Sequence, residues 1–262
     1  MNKEKDVFLQ LAKVSCMQHI RLIHLEETSS TNDYLCHYKG EEGTLLTVVT
    51  TDYQSSGRGQ GSNSWESERG ANLLFSMLIH PTTLPAAQQF QLSMAISLSI
   101  VRVLQHLSPH FSIKWPNDIY WNDRKIGGIL IEHQLSGTTI RQSILGIGIN
   151  VNQSLFVSDA PNPVSLLQIL GQPVDRDALL QAILRQWEEV GNWSAQEIHD
   201  TYLKHLYRKS GYHPYQDHQG PFMARIDTVE KDGHLVLCDE EGNLRRYAFK
   251  EVKTVISSLK KQ

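Results

Sequence analysis

Blocks of apolar and polar positions follow one another along the chain with changing period, and the changes predict its elements. Residues 21–26 read as a short strand. Ser29, Ser30, Thr31 and Asn32, just ahead of Asp33-Tyr34-Leu35, supply hydroxyl and amide groups able to cap a following helix. Residues 44–50 are apolar and β-branched, a buried strand, and they run into a polar, glycine-rich stretch over 54–65 that predicts a loop. A strand over 72–80 comes next, and beyond Pro81 and Pro85 residues 86–107 have the length and the Ala, Leu, Met and Gln content of a long core helix.

Strands return at 111–115, 119–121, 125–135 and 139–151, separated by Asn122-Asp123 and Ser136-Gly137 turns, which predicts an antiparallel meander. Helices are predicted over 163–170, 175–190 and 195–209, the second capped by Asp175, so that a helical layer packs on one face of the sheet. After Gly211, Pro214 and the polar residues 216–220, only short strands are expected, at 222–230, 234–238 and 244–249. The expected organisation is a leader over 1–20, an α+β domain over 21–211 built on a mixed, largely antiparallel sheet, and a small β-barrel over 212–262.

Composition narrows the classes. The chain has 262 residues, 40% hydrophobic and 20% charged, enough to bury a substantial core. A formal charge of -3 argues against a general polyanion binder, so any phosphate must be met by a local patch. Three scattered cysteines, Cys16, Cys36 and Cys238, exclude a disulfide framework or a paired-cysteine metal site and fit a reducing cytoplasm. No stretch has the ~20 apolar residues of a membrane span.

The chemistry concentrates in a few places. Phosphate-loop, nucleophile-elbow and zinc-helix motifs are missing. Gly57, Gly59 and Gly61 free backbone N–H groups to turn toward a ligand, and Arg58 adds a fork matched to carboxylate or phosphate; the same stretch also reads as a plain surface connection. Trp65, at its end, is suited to stack on something flat. Pro116 ends strand pairing after Lys114-Trp115 and leaves Asn117 and Asp118 at an edge. Lys125 stands just before Gly127-Gly128, and Gly146-Ile147-Gly148-Ile149-Asn150 repeats the thinned backbone on a neighbouring strand, so that the two together predict a flat slot.

Ser30-Thr31-Asn32, Gln54 ahead of Gly57-Arg58-Gly59 and Trp65, Lys114-Trp115-Pro116-Asn117-Asp118, residues 124–132 and Gly146-Ile147-Gly148-Ile149-Asn150, in this order, closely resemble the biotin protein ligases, densely over 22–152 and more weakly beyond. The resemblance implies the class II synthetase-like catalytic fold of biotin and lipoate ligases, followed by an SH3-like barrel. It also implies two half-reactions. The biotin carboxylate attacks the α-phosphate of Mg-ATP to give biotinyl-5'-AMP, and a lysine of a biotin carboxyl carrier protein domain then takes the biotin. On this reading Ser30, Thr31, Asn32 and Gln54 hold the biotin head, and Gly59, Gln60, Gly127, Gly128 and Gly148 line its path. Lys125 and Arg58 carry the catalytic charge, while Trp65, Asn117 and Asn150, with Arg58 and Lys125, hold ATP. Mg²⁺ arrives with the nucleotide rather than in a protein cage.

Gln60 stands where the family commonly has a second arginine, which removes a positive charge from the loop. Only about 20 residues precede the catalytic region, too few for a winged helix, so no DNA binding is expected; a homodimer is among the states the resemblance admits. A lipoate-attaching enzyme of the same fold would lack the Gly-Arg-Gly loop ending in Trp and the Lys-Trp-Pro-Asn-Asp block. A nucleic-acid module would want a basic stripe. The glycines also predict a loop that is mobile until a ligand closes it.

Overall fold

The computed structural model describes residues 20–40, 44–61, 63–81, 84–158 and 160–256; nearly all of the expected leader, and Ser62 of the glycine loop, lie outside them. A seven-stranded sheet in the order β1-β2-β3-β7-β6-β5-β4 organises the first part of the chain. Its strands are β1 (Ile20–Leu25), β2 (Leu46–Thr51), β3 (Leu73–Ile79), β4 (Phe111–Lys114), β5 (Asp118–Trp121), β6 (Arg124–Ser136) and β7 (Thr139–Ile149). All neighbours are antiparallel except β1 and β2, whose parallel pairing is made by crossover through α1 (Thr31–His37).

β3 is buried on both faces, and its alternation divides the layers. Phe75 and Met77 face a large core with Ile147 and Ile149 of β7 and with α2 (Phe90–Gln105), nearly all of which is buried. Leu78 faces the other way, into a small cluster with Val49, Ile144 and Leu35 of α1. The expectation of helices on one face is corrected here. A parallel crossover must pass over one side of the sheet, and α2 with α4 (Arg176–Gly191) and α5 (Ala195–Lys204) already covers the other.

Other differences have local causes. The long helix predicted over 86–107 is a 3₁₀ turn (Ala86–Gln88) followed by α2, with Gln89 between them. The helix expected over 163–170 shrinks to α3 (Leu166–Leu170), started by a capping box between Ser165 and Gln168. α5 stops at Lys204 rather than 209 because the next residues pair with β4: Ile113 N donates to His205 O (2.8 Å) and Tyr207 N to Ile113 O (2.8 Å), which covers that sheet edge.

A second sheet, five-stranded and antiparallel, has the order β11-β10-β9-β8-β12. It comprises β8 (His213–Asp217), β9 (Gly220–Val229), β10 (Leu235–Asp239), β11 (Leu244–Tyr247) and β12 (Lys253–Thr254). The stretch from Gly211 to Gly220, where no strand was expected, forms β8 and its tight turn. Pro214 is tolerated near the strand's start, and Gln219 N donates to Asp217 Oδ1 (2.8 Å) to close the hairpin. The two sheets are joined by a seam. Trp115 Nε1 donates to Gly233 O (2.9 Å), and Phe249 meets Trp115 and Phe90 edge-on at 5.3 and 6.0 Å.

Candidate active site

A cavity of about 670 Å³ opens on the face of the large sheet that carries α1, and the small sheet closes one wall with Tyr215, Ile226, Leu235 and Val252. Its floor is the row where β6 and β7 pair Gly128 with Gly148 and Leu130 with Gly146. Most of the residues singled out from the sequence meet here, from segments far apart in the chain. Gly127 and Asn150 stand behind the wall. A Cβ on Gly127 would lie 3.1 Å from Gly148 O, and the Asn150 amide donates to Val164 O (3.2 Å).

The start of α1 is placed by its own polar groups. Ser30 is the N-cap, its Oγ accepting from Asp33 N, and Ser30, Thr31 and Asn32 are all buried. Thr31 donates to Gln54 Oε1 through both N (2.8 Å) and Oγ1 (3.1 Å). Asn32 Nδ2 donates to Glu132 Oε2 (2.7 Å), and Ser76 Oγ lies 2.7 Å from Asn32 Oδ1. Gly146 exists for this contact: a Cβ there would overlap the Asn32 amide.

The glycine loop is folded on itself. Gly59 N donates to Asn63 O (2.7 Å) and Trp65 N to Gly57 O (2.9 Å); a Cβ on Gly57 would sit 2.7 Å from Trp65 O. Arg58 makes a fork with Glu132 (3.1 and 2.8 Å) and also reaches Asp33 (2.7 Å), tying the loop to β6 and to the first turn of α1. The indole of Trp65 covers the glycine floor, 2.5–2.8 Å from where a Gly148 Cβ would be. Its Nε1 is buried with no hydrogen-bond partner among the described residues, a cost of roughly 1–3 kcal/mol in this seat. Glu66 follows, accepting from Gln153 Nε2, Val157 N and Ser158 N, and so links the loop to residues 153–158. Burial works to raise the Glu66 pKa, but those hydrogen bonds outweigh it and hold the carboxyl below its ordinary value.

The cationic end of the cavity has Lys125 paired with Asp118 at 2.6 Å and 5.8 Å from the Trp65 ring centre. Lys114 lies 5.4 Å from the Tyr120 ring centre, and burial above all lowers its pKa, with Lys125 and Arg208 pushing the same way and Asp118 opposing. Burial and the nearby Asp118 push the Tyr120 phenol up to about 12. The Asn117 amide donates to Ile129 O (2.6 Å), keeping the turn before β5 against β6. Lys114, Glu132 and Lys250 are lining or supporting residues that sequence reasoning gave no role, and Asp118, expected at a strand edge, is the partner of Lys125. Lys114, Asp118 and Glu132 lie inside the blocks 114–118 and 124–132 picked out from the sequence, so the motifs were a signal, whereas Lys250 meets the loop only through folding.

Over residues 25–150 the sequence matches the biotin/lipoate A/B protein ligase family. The matched residues include most of those that line the cavity. Among curated relatives, a bifunctional ligase/repressor, BirA, of Bacillus subtilis is 35% identical over 63% of this chain and 51% of its own length. The biotin--[acetyl-CoA-carboxylase] ligase of Paracoccus denitrificans is 29% identical over 84% of this chain and 91% of its own. Among solved structures, the biotin protein ligase of Aquifex aeolicus in complex with biotin and ATP superposes with a TM-score of 0.74 at 27% identity, covering 90% of this chain and 99% of that one. The chain spans about half the length of the bifunctional relatives it matches. Its fold is α+β on a mixed sheet, like that of the Aquifex aeolicus structure, and no helix among the described residues is long and apolar enough to cross a membrane.

Proposed function

We propose that this chain is a biotin protein ligase that activates biotin with ATP and transfers it to a lysine of a biotin carboxyl carrier domain. The observation that carries the reading is the meeting, in one cavity, of the Thr31–Gln54 pair, the Arg58 loop ending in Trp65, and the Lys125–Asp118 pair. Polar groups at one end suit a ureido head, an apolar and aromatic middle suits the ring and chain, and a cationic end suits a carboxylate meeting a phosphate. In the first step a carboxylate oxygen of biotin attacks the α-phosphorus and pyrophosphate leaves. In the second, the acceptor amine attacks the acyl carbon, AMP leaves and the amine gives up a proton. Lys125, a compact point charge, holds the carboxylate and then the charge that builds on the phosphate.

Arg58 is proposed to act mainly by holding the loop shut through Glu132 and Asp33, and Gly127 and Asn150 by keeping the wall in place. Trp65 would cover the nucleotide base. Mg²⁺ is proposed to arrive with the nucleotide, whose phosphates would supply most of its oxygen ligands; among the described residues the one trio of metal-ligating groups is Glu230, Asp232 and His234 in the small sheet. The terminal sheet is read as an SH3-like module beginning near residue 211, and a cytoplasmic ligase without DNA binding, as monomer or homodimer, is the accompanying proposal.

The test is incubation with biotin, ATP, Mg²⁺ and a carrier domain, with a probe for transferred biotin. Pyrophosphate exchange driven by lipoate and not by biotin would overturn the reading.

A further inference from the structure

The cations around the cavity are unequally free. Arg58 is engaged by two carboxylates, Lys125 by Asp118, and position 60, where a further cation would sit in the loop, is a neutral glutamine. A phosphate entering beside the loop would find its one full positive charge already matched.

Lys250 is different. It lines the same cavity from the small sheet, in the turn between β11 and β12; like Lys114 and Lys253, which also line the cavity, it has no carboxylate partner among the described residues, but it is the one set against Gly61 of the loop. Its ammonium rests on the glycine loop: a Cβ on Gly61 would lie 2.5 Å from Lys250 Nζ and 3.6 Å from Cε. Gly61 itself has φ +71, so both the missing side chain and the backbone turn make room for the contact. Lys250 has φ +72, a left-handed conformation that glycine adopts freely and that costs a lysine on the order of 1–2 kcal/mol. The backbone is held there from both sides. Phe249 is wedged against Trp115 and Phe90, and Ala248 N donates to Glu251 Oε2 (2.7 Å).

We propose that Lys250 is a phosphate-binding residue contributed by the small sheet, placing over the glycine loop the positive charge that Gln60 does not provide. The inference rests on the ligase reading for the identity of the phosphate, which is either the polyphosphate of ATP or the phosphate of the adenylate. An ammonium on a flexible stem suits both, because it can follow the charge as pyrophosphate leaves.

The test uses Lys250→Gly, which substitutes the residue the backbone prefers and is expected to melt at or above the parent's temperature. Biotin-dependent pyrophosphate exchange should show the KM for ATP raised about tenfold, the scale of one charge-assisted contact, with the KM for biotin unmoved. A KM change for ATP places Lys250 on the polyphosphate, and a faster release of preformed adenylate places it on the adenylate. Gln60→Arg added to Lys250→Gly should recover most of the loss. ATP KM and adenylate release both within about twofold of the parent, or a change in biotin KM alone, would overturn the proposal. If the parent shows no biotin-dependent exchange, it is the ligase reading that fails. Calorimetric binding of inorganic tripolyphosphate then decides for Lys250: weaker binding by the glycine variant supports the phosphate role, and equal binding overturns it.

Discussion

Lys125 and Asp118 stand 2.6 Å apart, so the lysine is held at one point of the cavity by a partner that a ligand anion must share or displace. Replacing Lys125 by Ala is expected to slow single-turnover adenylate formation by on the order of 10² or more, the scale seen when a transition-state charge loses its donor. Lys125→Arg should be a poor rescue, since the planar fork does not reproduce a point charge beside Asp118. A near-normal rate for the alanine variant would return Lys125 to the status of a solvated strand residue. Gly146 makes a sharper steric case. A methyl group there overlaps the Asn32 amide, so Gly146→Ala should displace Asn32 from Glu132 and Ser76, cost ~1–3 kcal/mol in urea melts, and weaken biotin binding at least about tenfold. Gly137→Ala is the control. No atom lies within 4 Å of its Cβ, and only the strain of φ +60 is paid, roughly 1 kcal/mol, with biotin binding untouched. Equal effects on biotin in the two variants would show that the close packing under Asn32 does not matter to the site.

Among the elements, the β6–β7 hairpin carries both the floor of the cavity and a proton-sensitive pair. His133 on β6 shares a hydrogen bond with Ser143 Oγ on β7 (2.8 Å), and burial lowers its pKa below the ordinary 6.5. The unfolded chain therefore binds this proton first as pH falls. The contribution is complete above 6.5 and is lost as pH drops through that value toward the folded pKa. Urea melts at pH 7.5 and 5.5 should show a smaller difference for His133→Asn than for the parent, the remainder including His80, whose pKa burial lowers in the same sense. An unchanged difference would dismiss His133 as a source. Much of this layer could be read from period alone: the long strands, the glycines that thin the floor and the capped start of α1 are local signals. What could not be read depends on distant residues. β8 hid behind Pro214, because nothing nearby says that its proline falls beside the short edge strand β12. Likewise Arg58 meets Asp33 and Glu132 from 25 and 74 positions away, so the loop looked free when folding has already tied it down.

At the scale of the whole molecule, the two sheets enclose the cavity only while their seam holds. Trp115 is buried, and its indole N–H has Gly233 O as its acceptor, while the ring of Phe90 fills the space beside Gly233, where a Cβ would lie 2.8 Å from it. Trp115→Phe keeps an aromatic ring but strands that carbonyl, and is expected to cost ~1–3 kcal/mol by urea melt. Because Lys250 follows directly on Phe249 in the same seam, the variant should also raise the KM for ATP. A loss of stability with an unaltered ATP KM would show that the nucleotide end does not depend on how the small sheet is seated.

The Trp115–Gly233 bond also bears on how such a chain can be recombined. A carbonyl in the turn before β10 satisfies a side chain of the Lys-Trp-Pro-Asn-Asp block, so neither portion presents a finished surface to a stranger. Transplanting the terminal sheet of a related protein onto the first portion of this chain would succeed only if the donor offers an acceptor at the place of Gly233 and leaves room for Phe90. The graft is then governed by one turn rather than by overall likeness, and shuffling that preserves the turn should outperform shuffling at residue 211.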